Sequence, residues 1–135
     1  MITSLLYVSR STGPAGAAPA QLADILRVAR PRNLSLGVTG ALLAHRGYFA
    51  QVLEGARGNV DVLMDYIGHD PRHEAIRIVR AEERRERMFA NWSMAQVVPS
   101  AALDAFLVGD AEGVGMDPDG FVVALWQGAG AQLHL

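Results

Sequence analysis

Two stretches with the 3.6-residue period of an amphipathic helix, each set between stretches of β-prone apolar residues, constrain this chain more than any other feature. Ile2 to Ser9 is mostly apolar and runs into a Gly/Pro/Ala-rich loop through Ala18, which predicts a buried strand and a turn. Pro19 suits the first turn of a helix, and Leu22, Ile25, Leu26 and Ala29 then share one helical face until Pro31 stops the pattern. Leu36 to Ala44 and Tyr48 to Glu54 predict two strands joined by His45, Arg46 and Gly47. Asn59 is placed to cap a second helix, whose inner face carries Val60, Leu63, Met64 and Ile67 and which Pro71 closes. Ala75 to Val79 and Asn91 to Val98 predict two more strands. The order β-α-β-β-α-β-β suits a ferredoxin-like α+β sandwich, with two helices over one face of a mixed five-stranded sheet.

After Pro99 the residues turn to Ala, Gly and Asp, with apolar stretches at Leu103 to Val108 and Phe121 to Trp126 that predict two short helices. Asp117 and Pro118 fit the N-cap and first turn of the second. A calcium loop there would need a third acid and a bidentate Glu, and neither is present. Residues 1–98 are therefore expected to form the core domain and residues 99–135 a helical extension. Helices this short and apolar are marginal unless they pack, and the open face of the sheet is available to them.

The chain has 135 residues, half of them apolar, which is room for one core. Twelve basic residues against 14 acidic ones give a net charge of -2, so no footprint for nucleic acid or an anionic membrane stands out. In the run Glu82, Glu83, Arg84, Arg85, Glu86, Arg87 three acids cancel three arginines, as on a solvated, self-paired surface. Cysteine is absent and every basic side chain is arginine. Those two absences exclude disulfides, thiolate nucleophiles, Cys-type zinc sites, Schiff bases and P-loops. The N-terminus has no basic region before its apolar residues, and no apolar run approaches a membrane span, so a cytoplasmic location is the expectation.

Some residues need an explanation. Gln51 shares a strand face with Phe49 and Leu53 by period 2. If that face meets the helices, a buried amide needs a polar partner, and Tyr7 near the end of the first strand is one candidate. If the strand is an edge, the amide bonds to water; the pattern favours neither. Asn33, after the first helix, is ordinary turn chemistry. Trp92 and Met94, two apart, share a face of the last strand, as core packing would require. Arg72 and His73 follow a helix end and suit its C-terminal carbonyls. His69 and His73 have a metal-compatible spacing on a helix, but Pro71 lies between them, so no metal site is expected.

Six blocks together resemble one family, in its order and spacing. They are Leu6-Tyr7-Val8-Ser9, Arg30 with Asn33, and Gly37-Val38-Thr39-Gly40-Ala41-Leu42-Leu43. The rest are Phe49 to Gly55, and Asp70-Pro71-Arg72-His73 with Arg87 to Met94. They look like the recurring blocks of BLUF domains, over roughly residues 1 to 98. Ala50, often bulkier in the family, and the loop of residues 11 to 18 depart from it.

The resemblance implies a blue-light photoreceptor that holds a flavin (FAD, FMN or riboflavin) without a covalent bond. Tyr7 and Gln51 would stand near the N5 and O4 edge of the ring, Asn33 at its pyrimidine side, Arg72, His73 and Asp70 around O2 and N3, and Ile25 on its face. The family's mechanism implies electron and proton transfer from Tyr7 and a rearranged Gln51 hydrogen bond, with Trp92 and Met94 as transmitter. Which of those two faces Gln51 in the dark stays open. Signalling to an unidentified downstream protein, without enzymatic activity, and a homo-oligomer are the expected outputs. No effector domain is expected after the core. The alternative is an acylphosphatase-like hydrolase, for which Arg10 is present but the Gly13-Pro14-Ala15-Gly16 loop lacks that family's pattern.

Overall fold

The computed structural model describes residues 1–12, 18–111 and 117–131. The loop at Gly13 to Gly16 lies outside them. The elements are β1 (Ile2–Ser11), α1 (Ala18–Ser35), β2 (Thr39–His45), β3 (Tyr48–Gly55), α2 (Arg57–Gly68), β4 (His73–Arg84), β5 (Ala95–Gln96), α3 (Ala101–Ala111) and α4 (Pro118–Ala131). The five strands form one sheet in the order β4-β1-β3-β2-β5. Only β2 and β5 run parallel, so the sheet is mixed and the ferredoxin-like arrangement expected from the pattern is the one found.

Period 2 in the strands sorts the side chains into two cores. Leu5, Tyr7, Leu42, Phe49 and Leu53 meet Leu22 and Leu26 of α1 and Val60, Leu63 and Ile67 of α2. On the other face Leu6, Val8, Ala41, Leu43, Ala50 and Val52 meet Leu103 and Leu107 of α3 and Phe121, Val122 and Leu125 of α4. α3 and α4 thus cover the second face of the sheet. Phe106 stacks on Phe121 at 5.2 Å between ring centres and joins α3 to α4.

Several element boundaries differ from the sequence expectation. Pro31 does not end α1; it sits on the exposed side, and the helix continues to Ser35. Proline costs a helix one backbone bond, and here the following turn is held by Asn33, which is fully buried inside the helix and not in a turn after it. The helix ends where Gly37 adopts φ +64° and the Val38 amide bonds back to the Asn33 carbonyl at 2.9 Å, so β2 starts at Thr39 and not at Leu36. Arg46 and Gly47, both at positive φ, make a two-residue hairpin turn whose twist matches the strands. Asn59 falls in the first turn of α2, because the helix begins two residues after β3 and Ala56 stands at its cap.

The second half of the sheet departs furthest. β4 runs for 12 residues and not five, because an edge strand needs apolar residues on only part of its length. Glu82, Glu83 and Arg84 pair with Ser4, Thr3 and Ile2 of β1. Arg87 leaves that charged run altogether and bonds the carbonyls of Gly37 (2.7 Å) and Glu54 (2.9 Å). The last strand shrinks to Ala95 and Gln96 beside Ala41 and Leu42. Trp92 and Met94 therefore do not share a face: without a regular strand through them, Met94 enters the α1/α2 core and Trp92 packs on the α3/α4 core.

α4 approaches the end of β5 closely. The Val98 amide bonds to the Gly128 carbonyl at 3.2 Å, and a Cβ at Gly128 would lie 2.5 Å from Val97 Cγ1 and 2.8 Å from the Val98 carbonyl oxygen. Gly128→Ala should therefore push α4 off the sheet and destabilise the chain by ~1–3 kcal/mol, read as a lower denaturant midpoint. Wild-type stability in that variant would mean that the close approach is not needed.

Candidate functional site

Tyr7 and Gln51 stand directly opposite each other on β1 and β3, and the antiparallel register places both side chains on the α1/α2 face. Both are buried, at 3% and 5% exposure. The Tyr7 hydroxyl donates a short hydrogen bond to Gln51 Oε1, and Gln51 Nε2 donates to Met94 Sδ at 3.2 Å. Of the two readings of Gln51 open in the sequence, the buried amide with Tyr7 as partner is the one found. Met94, and not Trp92, faces it; Trp92 tilts against Phe89 at 6.2 Å on the other side of the sheet.

Above this pair, between α1 and α2, lies a cleft of about 520 Å³, counting the part open to solvent. Ile25, Val28, Ala29, Phe49 and Ile67 give it apolar walls, and Tyr7, Gln51, Asp70, Arg72 and His73 give it polar ones. Asn33 is close by on α1 but does not line the cleft. Its Nδ2 donates to the Ser93 carbonyl at 3.0 Å, while its Oδ1 is buried without a partner.

The polar walls are partly engaged within the chain. Arg72 grips Asp70 through both nitrogens on its open side, at 2.6 to 3.0 Å. That guanidinium holds the Asp70 carboxyl below its usual range, against the opposing effect of burial. His73 Nε2 lies 2.7 Å from the Ile67 carbonyl, which can only accept, so Nε2 carries a proton, and Nδ1 of the neutral ring accepts from the Ser9 hydroxyl at 2.7 Å. His73 thus meets the last turn of α2, as a basic group after a helix end should, and turns its ring edge-on to Tyr7 and Phe49.

Arg32 and Tyr66 were not marked by the sequence reading. Arg32 lines the cleft, its Nε is buried without a partner, and its guanidinium lies 5.3 Å above the Tyr66 ring. The signal existed: Ile25, Ala29 and Arg32 continue one helical stripe, but only if the helix passes through Pro31.

Burial pushes the Tyr7 hydroxyl far above its ordinary pKa, and the Asp70 charge adds to the shift. The folded state therefore keeps the proton that the unfolded chain releases above pH ~10. Tyr7 contributes stability that is complete below that pH and is lost as pH rises further. In an alkaline titration, one tyrosine ionisation step should be delayed until the chain unfolds. Tyr7→Phe should lack that step, and its persistence in the variant would refute the assignment.

Residues 2–95 match the model of the BLUF family, described as sensors of blue-light using FAD. Among solved structures, the chain is similar to BlrB, a BLUF protein in its dark state, at 35% identity and a TM-score of 0.74, covering 97% of this chain and 96% of that one. It is also similar to the photo-activated state of BlsA, at 27% identity and a TM-score of 0.79, covering 93% of this chain and 95% of that one. A curated relative is photoactivated adenylate cyclase subunit beta of Euglena gracilis, 39% identical over 90 residues, which are 67% of this chain and 10% of that protein. The chain thus spans about a tenth of the length of such relatives. The match gives no support to a hydrolase of the acylphosphatase kind. With its sheet order, its buried tyrosine–glutamine pair and a family match over residues 2–95, the chain belongs to the BLUF family of flavin-dependent blue-light sensors.

Proposed function

We propose that the cleft between α1 and α2 seats the flavin, and that Tyr7, Gln51 and Met94 form the light switch. The single observation that carries this reading is the buried chain of hydrogen bonds from Tyr7 through Gln51 to Met94. The residues fit the group: a flat ring with one polar edge suits walls of Ile25, Val28 and Ile67 over a floor of Tyr7 and Gln51. The orphaned Arg32 Nε, on the wall of the cleft, is a donor that such an edge can satisfy. Asp70, Arg72 and His73 bound the cleft, with His73 contributing its ring and not a free nitrogen. Cysteine is absent, and His73 has both ring nitrogens engaged within the chain, which supports non-covalent seating.

Bound flavin supplies blue-light absorption and, once excited, an acceptor for an electron. The chain supplies the rest. Tyr7 holds its proton firmly in the dark, and the first acceptor along its hydroxyl is Gln51 Oε1. An amide has unlike ends, so turning Gln51 over would set Nε2 against Tyr7 and Oε1 against Met94. A thioether sulfur accepts but cannot donate. The turned amide therefore loses its bond to Met94, and the change at the cleft becomes a change in the chain just before β5.

From Met94 it is three residues to Val97, which packs in the α3/α4 core, and Val98 bonds to α4. α3 and α4 are the proposed output, with Val123 and Trp126 exposed on the outer side of α4 at 41% and 42% for a downstream protein or a second copy of the chain. A shift of ~1–2 kcal/mol in the docking of these helices would change the undocked population several-fold. The proposed role is a sensor without its own enzymatic step. Among the described residues no helix is long and apolar enough to cross a membrane.

The protein should purify yellow and release intact flavin on heating or in acid; a colourless protein that no flavin restores would sink the reading. Tyr7→Phe and Gln51→Leu should both bind flavin and lose the light-induced red shift of its absorption, whereas a wild-type shift in either would remove that residue from the switch. Hydrogen exchange in darkness and under blue light should differ in α3 and α4. Unchanged protection there, with changes confined elsewhere, would rule out these helices as the output.

A further inference from the structure

We infer that Arg30 is a positioning residue for the switch, a clamp that holds the segment 92–94 with Met94 turned inward. The observation is a row of three successive carbonyls, each held by a different donor from outside the segment. The Gly40 amide bonds to the Trp92 carbonyl at 3.0 Å, Asn33 Nδ2 to that of Ser93 at 3.0 Å, and Arg30 Nε to that of Met94 at 2.9 Å. The segment needs such support because it belongs to no strand: its first ladder partner is Ala95, opposite Ala41. Two of the three donors come from one helix, Arg30 and Asn33 standing three apart on α1 and so on neighbouring positions of its surface.

Arg30, itself exposed, lines a surface groove together with residues 91–95 and Ala129 of α4. Its clamp acts on the backbone of the same residue whose sulfur accepts from Gln51, so side chain and main chain of Met94 are fixed from opposite ends. Because Trp92 lies on the far side of the sheet, an exchange of Trp92 for Met94 requires the segment to roll, and the Met94 carbonyl cannot roll while Arg30 holds it. α1 also carries Ala29 and Arg32 into the cleft. One rigid helix therefore touches both the flavin site and the segment that must move, giving a second route between them that does not pass through Gln51.

This clamp rests on the photoswitch reading, and its test separates the two. In a Trp126→Phe background Trp92 is the only tryptophan, since the chain has 2. Time-resolved fluorescence of the flavin-loaded protein in the dark should show mainly the Trp92 population packed on Phe89. Arg30→Gln should raise the flavin-quenched population, in which Trp92 has turned inward, by roughly two- to tenfold, the worth of one hydrogen bond. Arg30→Lys keeps a donor and should give a smaller rise. Equal lifetimes in all three proteins would overturn the clamp. A direct measurement needs no variant: the Arg30 Nε–H of the wild type should exchange slowly in a nitrogen-15 NMR spectrum, and free exchange would overturn the proposal. If the protein takes up no flavin, the photoswitch reading falls, and the same Nε–H signal still decides the clamp.

Discussion

The burial of one amide, Gln51, opposite one phenol, Tyr7, is the interaction on which the rest of the site depends. An unsatisfied amide in that position would cost about 1–3 kcal/mol, which a chain of this size can ill spare. The antiparallel register of β1 and β3 removes the cost by placing the Tyr7 hydroxyl in reach. The same register leaves Nε2 pointing at Met94, whose soft sulfur is the weakest acceptor the core offers. The pair is thus satisfied on one side and loosely held on the other. That asymmetry is what a two-state element requires.

Around this pair the sheet separates two packed sides, proposed above as the receiving and the responding one. α1 and α2 enclose the cleft, while α3 and α4 cover the opposite face, and five strands lie between them. A packed sheet bends little, because its side chains interdigitate on both faces. The segment of residues 92–94 avoids that difficulty by leaving the ladder. It runs from Trp92 on one face to Met94 on the other within three residues, and its carbonyls are held by two side chains of α1 and the single Gly40 amide of β2, not by a continuous ladder. Ala95 to Val98 then lead directly to the Gly128 carbonyl on α4.

Charge plays a local part. Asp70 and Arg72 satisfy each other at the rim of the cleft, and His73 is spent on Ser9 and Ile67, so these residues fix the wall through bonds within the chain. Arg80 is likewise committed, bonding Asp119 at the start of α4 and Ser4 on β1. The balanced run after residue 81 splits in two, with Glu82 and Arg84 paired on the exposed edge strand and Arg87 turned inward onto carbonyls. Counting charges predicts the first behaviour and cannot see the second, because a neutral carbonyl leaves no mark in a charge pattern.

By itself the sequence determined the element order, the two helical faces, both cores in outline and the blocks that carry the family resemblance, because period and turn chemistry are local properties of the chain. It also marked Gln51 as an amide in need of a partner and Tyr7 as one candidate, whereas Asn33 and Met94 stood out only through the family resemblance. Tertiary structure decided the rest. α1 runs past Pro31 because buried Asn33 holds its final turn, and that continuation is what brings Arg32 to the cleft. Trp92 and Met94 face opposite sides because donors from Arg30, Asn33 and Gly40 override the alternation a strand would impose. β4 doubles in length because pairing with β1 supplies what its charged residues lack in propensity. Each of these outcomes turns on contacts between residues far apart in the chain, and a local period carries no information about them.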